Sequence, residues 1–367
     1  MKNIFNRLLK EMKNTKPLAL ATIIETMGSS PQISGASAIF STDGLVDGTL
    51  GGGILEARAE EEAIAALKDQ ESRLMPFSLD GAITSEEEAI CGGEVTILID
   101  TQTRDSEDTL DKMKSSIDSR QPGVLATTID LFPKNRVILS RKWIEKSEIF
   151  GDGAAAKESP HYEQIKNSFR SGRPLLLEIQ EEQEKGEKQE ALSQKTLLFL
   201  EPLYPQSHLV IAGAGHIGKA LAHLGNRLDF EVTVVDDRAD FANPENIPEA
   251  DHCVVSDIGR AIREIPKSLD TFIVIVTRGH SHDSDALREC ISSNAGYIGM
   301  IGSERKIALM REKFLDEGWA TEEQFDRVFA PIGLEIQSKT VEEIAVSIAA
   351  QLVLVRNQIQ NKGRTEL

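Results

Sequence analysis

Three glycine-containing stretches near the N-terminus have the composition of loops that let a ligand approach the main chain. They read GSSPQISGA over residues 28–36, DGTLGGGILE over 47–56 and CGG over 91–93. In the second stretch, Gly51, Gly52 and Gly53 lead directly into ILEARAEEEAIAALK, an acidic, alanine-rich segment typical of a helix. Glycines weaken a helix start, so three of them indicate a need for space, and the helix N-terminus favours negative charge there.

Two side chains beside these glycines could take part in chemistry. Cys91 is the only cysteine flanked by glycines, and its thiolate would be a soft ligand or a sulfur carrier; alternatively it is inert and buried. Glu56 either accepts hydrogen bonds from a ligand or caps the helix. The candidate binding residues of this half are Gly28, Ser29, Gly51, Gly52, Gly53, Glu56, Cys91, Gly92 and Gly93.

A dinucleotide-binding fingerprint, GAGHIG, lies between a predicted strand and a predicted helix in the second half of the chain. Gly213 permits the tight turn, Gly215 lets a pyrophosphate approach the backbone, and Gly218 lets helix and strand pack closely. Asp236 ends the next predicted strand, where an acidic side chain would accept hydrogen bonds from an adenosine ribose. The pattern predicts a Rossmann-type domain and a nucleotide or another anion at the loop.

Two residues complicate a simple dehydrogenase interpretation. His216 lies inside the glycine loop, where most dinucleotide-binding proteins have a small apolar residue. Arg238 follows Asp236-Asp237 and either binds a 2′-phosphate or forms a surface ion pair.

The segment TFIVIVTRGHSHDSD lies at the edge where open α/β sheets bind ligands, and after its buried strand it carries Arg278, His280, His282, Asp283 and Asp285. His280 is the most attractive acid–base candidate. A metal pair of His280 and His282 is one interpretation, but a metal needs a third protein ligand and the sequence indicates none, so we expect no direct metal cluster. A hydrogen-bonded ligand-contact loop is the favoured interpretation.

A second cationic turn, YIGMIGSERK, follows the last predicted strand. Ser303 and Arg305, with Lys306, could bind a phosphate there, although a solvated helix N-terminus would have the same sequence.

The elements that must position these residues form two domains of α/β class. Residues 1–200 predict an N-terminal mixed α/β domain, and 201–367 predict a C-terminal Rossmann-like, doubly wound parallel sheet. The C-terminal strands are SHLVIAGAG, EVTVVDD, HCVVSD and TFIVIVTRG, and a long helix follows with Thr340 as N-cap and Glu343 three residues on.

The N-terminal domain contains a candidate internal repeat near 17–101 and 122–180. GVLATTIDLF resembles LALATIIET, and LLLEIQEE resembles TILIDTQ. If the repeat is real, only the first copy keeps the glycine motifs and is the working half. The alternative is two unrelated units with similar strands.

The net charge, the apolar runs and the cysteines of the chain argue against several classes of function. The formal net charge of −18 argues against a nucleic-acid partner, because phosphate binding needs a basic surface. No apolar run reaches the length of a membrane span, and the N-terminus lacks an apolar signal core. Three scattered cysteines do not form a disulfide framework. We therefore expect a cytoplasmic protein without a membrane partner.

Together these motifs resemble the xanthine dehydrogenase accessory-factor family of the XdhC/CoxI type. The N-terminal similarity rests on GSSPQISGA, DGTLGGGILE and CGG, and the C-terminal similarity on GAGHIG, VDDR, TRGHSHD, YIGMIGSERK and APIGLEIQSKTVEEIAVSI. Only about residues 102–195 fall outside it. The family commonly has an arginine where this chain has Gln32, so one expected cationic contact to an anion is missing.

The resemblance implies a chaperone that binds the molybdenum cofactor and delivers it, sulfurated, to a molybdenum hydroxylase. The glycine loops would then accommodate the pyranopterin phosphate, and Glu56 would contact the aminopterin ring. Implied partners are the hydroxylase, a cysteine desulfurase and a second copy of the chain. The alternatives are an NAD(P)-dependent oxidoreductase and a nucleotide-sensing scaffold that uses the GAGHIG loop.

Overall fold

The computed structural model describes residues 4–14, 16–28, 30, 32–78, 93–133, 136–151, 155–179 and 195–365. Contacts within the chain divide it into two compact units, Lys2–Pro205 and Gln206–Leu367. No helix of the described residues combines the length and apolar character needed to cross a bilayer.

The N-terminal unit contains nine strands and five α-helices within its described residues. The strands are β1 (Leu18–Gly28), β2 (Ser37–Ser41), β3 (Gly44–Gly48), β4 (Arg73–Ser78), β5 (Gly93–Asp100), β6 (Gly123–Phe132), β7 (Arg136–Glu145), β8 (Leu175–Ile179) and β9 (Lys195–Leu203). The helices are α1 (Ile4–Met12), α2 (Gly53–Asp69), α3 (Glu107–Asp118), α4 (Lys146–Phe150) and α5 (Tyr162–Ser171).

These strands form two antiparallel sheets, in the orders β3-β2-β1-β5-β4 and β7-β6-β9-β8. One face of each sheet contributes to shared apolar clusters, in which Ile24 and Leu98 of the first sheet meet Ile129 and Phe199 of the second. The opposite face of the first sheet packs under α2, whose small residues Ala59, Ala63 and Ala66 let the helix lie close to the strands. The unit is therefore a two-sheet sandwich with flanking helices.

The two sheets are built on the same strand pattern, in support of an internal repeat. Leu20-Ala21-Thr22 in β1 corresponds to Leu125-Ala126-Thr127 in β6, the strand that takes the same inner position. Leu20 pairs with Asp100, and Leu125 pairs with Glu201, so these two acids occupy equivalent places. The expected match of LLLEI with TILID is wrong, because β8 takes the outer position of β4, and β9 takes the position of β5.

The C-terminal unit contains one parallel sheet of five strands. The strands are β10 (His208–Ala212), β11 (Glu231–Asp236), β12 (His252–Val255), β13 (Thr271–Ile275) and β14 (Tyr297–Met300). The helices are α6 (His216–Arg227), α7 (Ile258–Glu264), α8 (His280–Cys290), α9 (Glu304–Asp316), α10 (Glu322–Asp326) and α11 (Val341–Thr365).

Helices cover both faces of this parallel sheet. Leu221 of α6 and Leu352 of α11 pack on one face, while Ile262, Leu287 and Phe314 of α7, α8 and α9 pack on the other. The strand order β12-β11-β10-β13-β14 reverses direction between β10 and β13, which creates the crevice where such sheets bind ligands. The predicted fold class, mixed α/β followed by a Rossmann-like doubly wound sheet, is confirmed.

Candidate functional site

Loops from three strands meet at one edge of the first sheet. Gly28 at the end of β1 pairs with Gly93 at the start of β5, and Gly48 at the end of β3 pairs with Ala38 near the start of β2. Parts of all three N-terminal motifs therefore share this edge, which we call the three-loop edge (residues 28, 30, 32–36, 48–54 and 93). The candidates Ser29, Cys91 and Gly92 lie outside the described residues.

The glycine triplet at this edge is required by backbone geometry. Gly51, Gly52 and Gly53 have φ angles of +109°, +76° and +61°, in the left-handed region that side chains disfavour. A Cβ atom added at Gly52 or Gly53 would meet nothing within 4 Å. By contrast, a Cβ at Gly48 would lie 2.3 Å from the carbonyl oxygen of Ser37. Packing excludes a side chain at Gly48, whereas the main chain is open at Gly52 and Gly53.

The carboxylate of Glu56 lies inside the same turn. One of its oxygens accepts hydrogen bonds from the Thr49 hydroxyl at 2.6 Å, the Leu50 amide at 2.9 Å and the Gly52 amide at 3.4 Å. The hydroxyl contact is the main cause that lowers the pKa of Glu56, with the two amides adding to it against the effect of burial. This is the capping arrangement, so in this conformation Glu56 orders the turn.

The amides left for an anion are those of the first helical turn. Gly51 donates to the Thr49 hydroxyl at 3.1 Å, so the turn itself satisfies Leu50, Gly51 and Gly52. The N–H groups of Gly53 and Ile54 begin α2 and have no carbonyl to bond within the helix. The positive end of the helix dipole lies at the same place. An anion at this edge would therefore contact the start of α2.

Apolar side chains are also exposed at the three-loop edge. The exposed fractions of Met27, Ile33 and Ile54 are 58%, 67% and 37%. Gln32, which replaces the cationic residue expected there, lies in the same loop, and its side-chain oxygen accepts from the Ile33 amide at 3.2 Å. The edge thus combines apolar surface with backbone donors, which suits a ligand with an apolar ring and an anionic end.

In the C-terminal unit, the three fingerprint glycines have separate structural roles. Gly213 has a φ of +117°, and a Cβ there would lie 2.5 Å from the Val276 carbonyl oxygen at the end of β13. At Gly218 a Cβ would lie 1.9 Å from the Gly213 carbonyl oxygen, so α6 could not pack on its strand. A Cβ at Gly215 would meet nothing within 4 Å. Only Gly215 leaves open main chain, beside the crevice between β10 and β13.

Asp236 is buried behind this loop, with 3% of its side chain exposed. Its carboxylate accepts from the Ala214 amide at 2.8 Å and from the Arg238 amide at 3.1 Å. The Arg238 guanidinium donates to both carboxylate oxygens, at 2.8 and 2.9 Å. Burial alone would raise the pKa of Asp236, but these hydrogen bonds outweigh it and hold the pKa at about 2.

The loops after β13 and β14 also meet at the carboxyl edge of the sheet. Arg278 donates to Asp237 at 2.7 Å, across the end of β10. His280 begins α8 just as His216 begins α6, and both are exposed, as is Asp285. Ser303 caps α9 by accepting from the Lys306 amide at 3.3 Å, and Arg305 is exposed beside it. Within the described residues, no three His, Cys, Asp or Glu side chains converge on a potential metal position.

Asp283, which the sequence placed at this edge without a role of its own, organises the edge. It is fully buried, accepts from the Thr277 hydroxyl at 2.6 Å, and forms an ion pair with Lys306. Lys306 also donates to the Ile301 carbonyl at 3.2 Å, so it fastens the start of α9 to the first turn of α8 and to the segment after β14. The only sequence signal was an acidic residue in the first turn of a helix.

A second polar group was also missed, between the two sheets of the N-terminal unit. Arg141 of β7 forms an ion pair of 2.7 Å with Asp100 of β5, and 4% and 0% of the two side chains are exposed. Glu201 lies nearby, beside a cavity of about 10 Å³ that Thr22, Thr127 and Arg141 also line. Burial raises the pKa of Glu201 to about 7, although Arg141 opposes the shift. The only sequence signal for this group was the repeated Leu-Ala-Thr of β1 and β6. In both strands the leucine of this repeat pairs with one of the two acids, Asp100 or Glu201.

A cleft of about 510 Å³ lies on the outer face of the second sheet, lined in part by Thr128, Lys142, His161 and Leu198. Neither glycine loop contributes to it. Its volume falls in the range of small-molecule sites, but none of its residues is a candidate binding residue from the sequence.

Known proteins resemble this chain along most of its length. Residues 12–78 match the family model described as the XdhC and CoxI family, and residues 209–352 match that of the XdhC Rossmann domain. The resemblance to the XdhC/CoxI type predicted from the motifs is thereby confirmed.

Two curated relatives and one solved structure match nearly the whole chain, but the matched part makes up a different share of each of them. A protein of Bacillus subtilis strain 168, described as a probable xanthine dehydrogenase subunit, is 25% identical over 366 residues, 98% of this chain and 99% of that protein. The uncharacterized protein YqeB of Escherichia coli strain K12 is 23% identical over 356 residues, 97% of this chain, which spans only 46% of YqeB. The crystal structure of a protein described as a xanthine dehydrogenase, from Bacillus halodurans, is 22% identical, with a TM-score of 0.72 and 96% of each chain covered. That likeness establishes a shared fold.

Proposed function

We propose that this chain, a member of the XdhC and CoxI family with an XdhC Rossmann domain, is an accessory protein of a xanthine dehydrogenase-type molybdenum hydroxylase. In this role it binds the molybdenum cofactor as cargo and assists its sulfuration and its insertion into the hydroxylase. The name of the Bacillus subtilis relative supports the link to xanthine dehydrogenase. No catalytic step by the chain itself is required.

The observation that carries the proposal is the open main chain of the three-loop edge. Two glycines of the triplet leave their Cβ positions empty, and the first amides of α2 remain available as donors. A pterin cofactor has a flat ring system and a phosphate, which fit the exposed apolar side chains and the helix start, respectively. Because the chain has a net charge of −18, this local attraction would have to hold the anion against repulsion from the protein's overall negative charge.

The partners follow from the same proposal. The hydroxylase receives the cofactor, and a cysteine desulfurase supplies the sulfur. Cys91, two residues before Gly93 in sequence, is the candidate to contact molybdenum or sulfur, since a thiolate is a soft ligand. We also propose that the protein works as a homodimer in the cytoplasm.

A second candidate function is nucleotide binding by the Rossmann unit. The observation that favours it is the division of roles among Gly213, Gly215 and Gly218, which leaves open main chain only at the pyrophosphate position. The bound nucleotide would either serve an NAD(P)-dependent oxidation, with His280 as the acid–base group, or control partner binding.

The test is cofactor binding by a variant that blocks the open turn. Protein purified without oxygen is mixed with molybdopterin, and the pterin that stays bound is measured by fluorescence after release. Gly52→Asn adds a side chain into empty space, and because the φ of +76° and ψ of −171° at Gly52 are adopted almost only by glycine, it also shifts the backbone of the turn. We expect Gly52→Asn to weaken binding at least tenfold.

The matched control is Gly318→Asn. Gly318 has a φ of +65° and an empty Cβ position, but it lies after α9 in the other unit. It therefore also adds a side chain at a positive φ, but outside the three-loop edge, and we expect unchanged binding. Wild-type protein that retains no pterin would rule out the proposal, as would equal losses in both variants.

A further inference from the structure

The ribose position of the Rossmann unit has an unusual set of partners. In dinucleotide-binding folds the pyrophosphate lies on the glycine loop, and the adenosine ribose lies at the end of the following strand. That place belongs to Asp236, whose carboxylate already accepts four hydrogen bonds, one from the Ala214 amide and three from Arg238. A carboxylate has about four lone-pair sites. With 3% of its side chain exposed, Asp236 has no acceptor left for a ribose diol.

Two guanidinium groups, those of Arg238 and Arg278, lie partly exposed at the ribose position. Arg278 donates to one oxygen of Asp237 at 2.7 Å, and Nε of Arg238 lies 4.0 Å from the other. The two arginines come from the ends of β13 and β11, the strands on either side of β10 and its glycine loop. They therefore converge on one carboxylate beside the loop.

Each arginine keeps donors for a ligand. Within the described residues, Nη1 of Arg238 and both Nη1 and Nε of Arg278 donate to no protein group. The Arg238 guanidinium lies 3.6 Å from the centroid of the Phe241 ring, which fixes its plane. Side-chain exposures of 28% and 50% leave both arginines accessible. The groups offered at the ribose position are thus donors in fixed positions, and a phosphate, which only accepts, is their natural partner.

We propose that the Rossmann unit prefers an adenine dinucleotide with a phosphate on its 2′-ribose oxygen, bound by Arg238 and Arg278, over one with a free ribose diol. The proposal rests on the nucleotide-binding function proposed above. Asp236 then has a supporting role: it holds Ala214 and orients Arg238. The negative charge of Asp237 is shared between the two arginines and does not repel the phosphate unopposed.

The experiment compares the binding of NADPH and NADH by the full chain, from the change in nicotinamide fluorescence. For the wild type we expect NADPH to bind at least tenfold more tightly. Arg278→Gln should weaken NADPH binding about tenfold to a hundredfold, the range for losing a hydrogen bond to a charged group, and leave NADH binding within about threefold. Arg238→Gln should do the same.

Controls separate this effect from damage to the loop. Arg263→Gln removes the same charge from an arginine of α7 that is 66% exposed and pairs with Glu289, and we expect no change. Because Arg238 also supports Asp236, its variant is compared with Arg278→Gln, which breaks only a surface ion pair. Inorganic phosphate should compete with NADPH in the wild type and lose that effect in Arg278→Gln.

The outcomes distinguish the two nucleotide proposals. NADH binding as tight as NADPH binding overturns the 2′-phosphate preference alone, as would equal losses of both nucleotides in Arg278→Gln. Binding of neither nucleotide overturns nucleotide binding as well, while the cofactor-delivery proposal stands on its own test.

Discussion

The two sheets of the N-terminal unit, which we call the first and the second copy, share a strand pattern and differ at their edges. In the first copy, β1 and β2 are joined by the motif loop 29–36, and β3 leads into the glycine triplet. In the second, β6 and β7 pair as far as Phe132 and Arg136, so only residues 133–135 connect them. The helix over the first sheet has 17 residues, and α5 over the second has 10. The first copy thus presents open loops, whereas the second has a closed hairpin and a less covered outer face.

The difference extends to the interior between the copies. Asp100 and Glu201 occupy equivalent positions, but Arg141 forms its ion pair with Asp100. Burial raises the pKa of Glu201 to about 7, although the charge of Arg141 opposes the shift. Strands in equivalent positions of the two sheets therefore need not keep equivalent charges, because a single cation, Arg141, serves both acids. This asymmetry has measurable consequences for the free energy of unfolding.

The largest expected effect on the free energy of unfolding comes from removing Arg141, the cation beside both acids. Arg141→Met leaves Asp100 buried without its partner, and breaking a buried pair in this way costs about 3–5 kcal/mol of unfolding free energy. Urea unfolding at pH 7 measures it, and Lys142→Met on the exposed neighbouring position is the control. A loss below about 1 kcal/mol would show that Asp100 does not depend on Arg141.

The second effect is a pH dependence caused by Glu201. Its pKa rises from 4.5 in the unfolded chain to about 7 in the folded one, so between these values the folded state holds a proton that the unfolded state has lost. The free energy of unfolding should therefore fall by about 3 kcal/mol as pH rises from 4.5 through 7.

Glu201→Gln should remove this contribution and make the protein more stable than wild type at pH 8. Urea unfolding at pH 5, 6, 7 and 8 measures the free energy of unfolding of both proteins. Glu178→Gln, at an exposed position of β8, is the control. Parallel pH profiles for wild type and Glu201→Gln would contradict a protonated Glu201.

The smallest effect concerns the turn that only the first copy contains. Glu56→Ala leaves the amides of Leu50 and Gly52 without their acceptor and should cost about 1 kcal/mol of unfolding free energy, the usual value for losing a helix cap. Amide exchange of residues 49–53 should speed up while that of the second copy stays unchanged. Exchange rates equal to wild type would show that Glu56 does not order the turn.

The sequence predicted the features with strong local signals. Apolar runs of strand length identified β10, β11 and β13, and the capping box of Thr340 and Glu343 is present, with bonds of 3.0 and 3.2 Å. The glycine fingerprint was recognisable because each of its glycines has its own steric reason.

Other features depend on partners far apart in sequence. LLLEI and LLFLE are both short apolar runs, so β8 was matched to β5 in place of β9. Arg141, in ILSRKW, reads like a surface charge, and only the folded sandwich places it against Asp100. Asp236 looked free to bind a ribose because the sequence does not show that Arg238 and the Ala214 amide already occupy its carboxylate.

Cofactor binding at the three-loop edge is tested most directly by hydrogen–deuterium exchange of the whole chain with and without molybdopterin, in the absence of oxygen. We predict slower exchange in peptides that cover 28–36 and 47–56, with no change in 122–151 or 208–219. Protection confined to the second copy, beside its 510 Å³ cleft, or to the Rossmann loop would contradict the claim that the three-loop edge binds the cofactor.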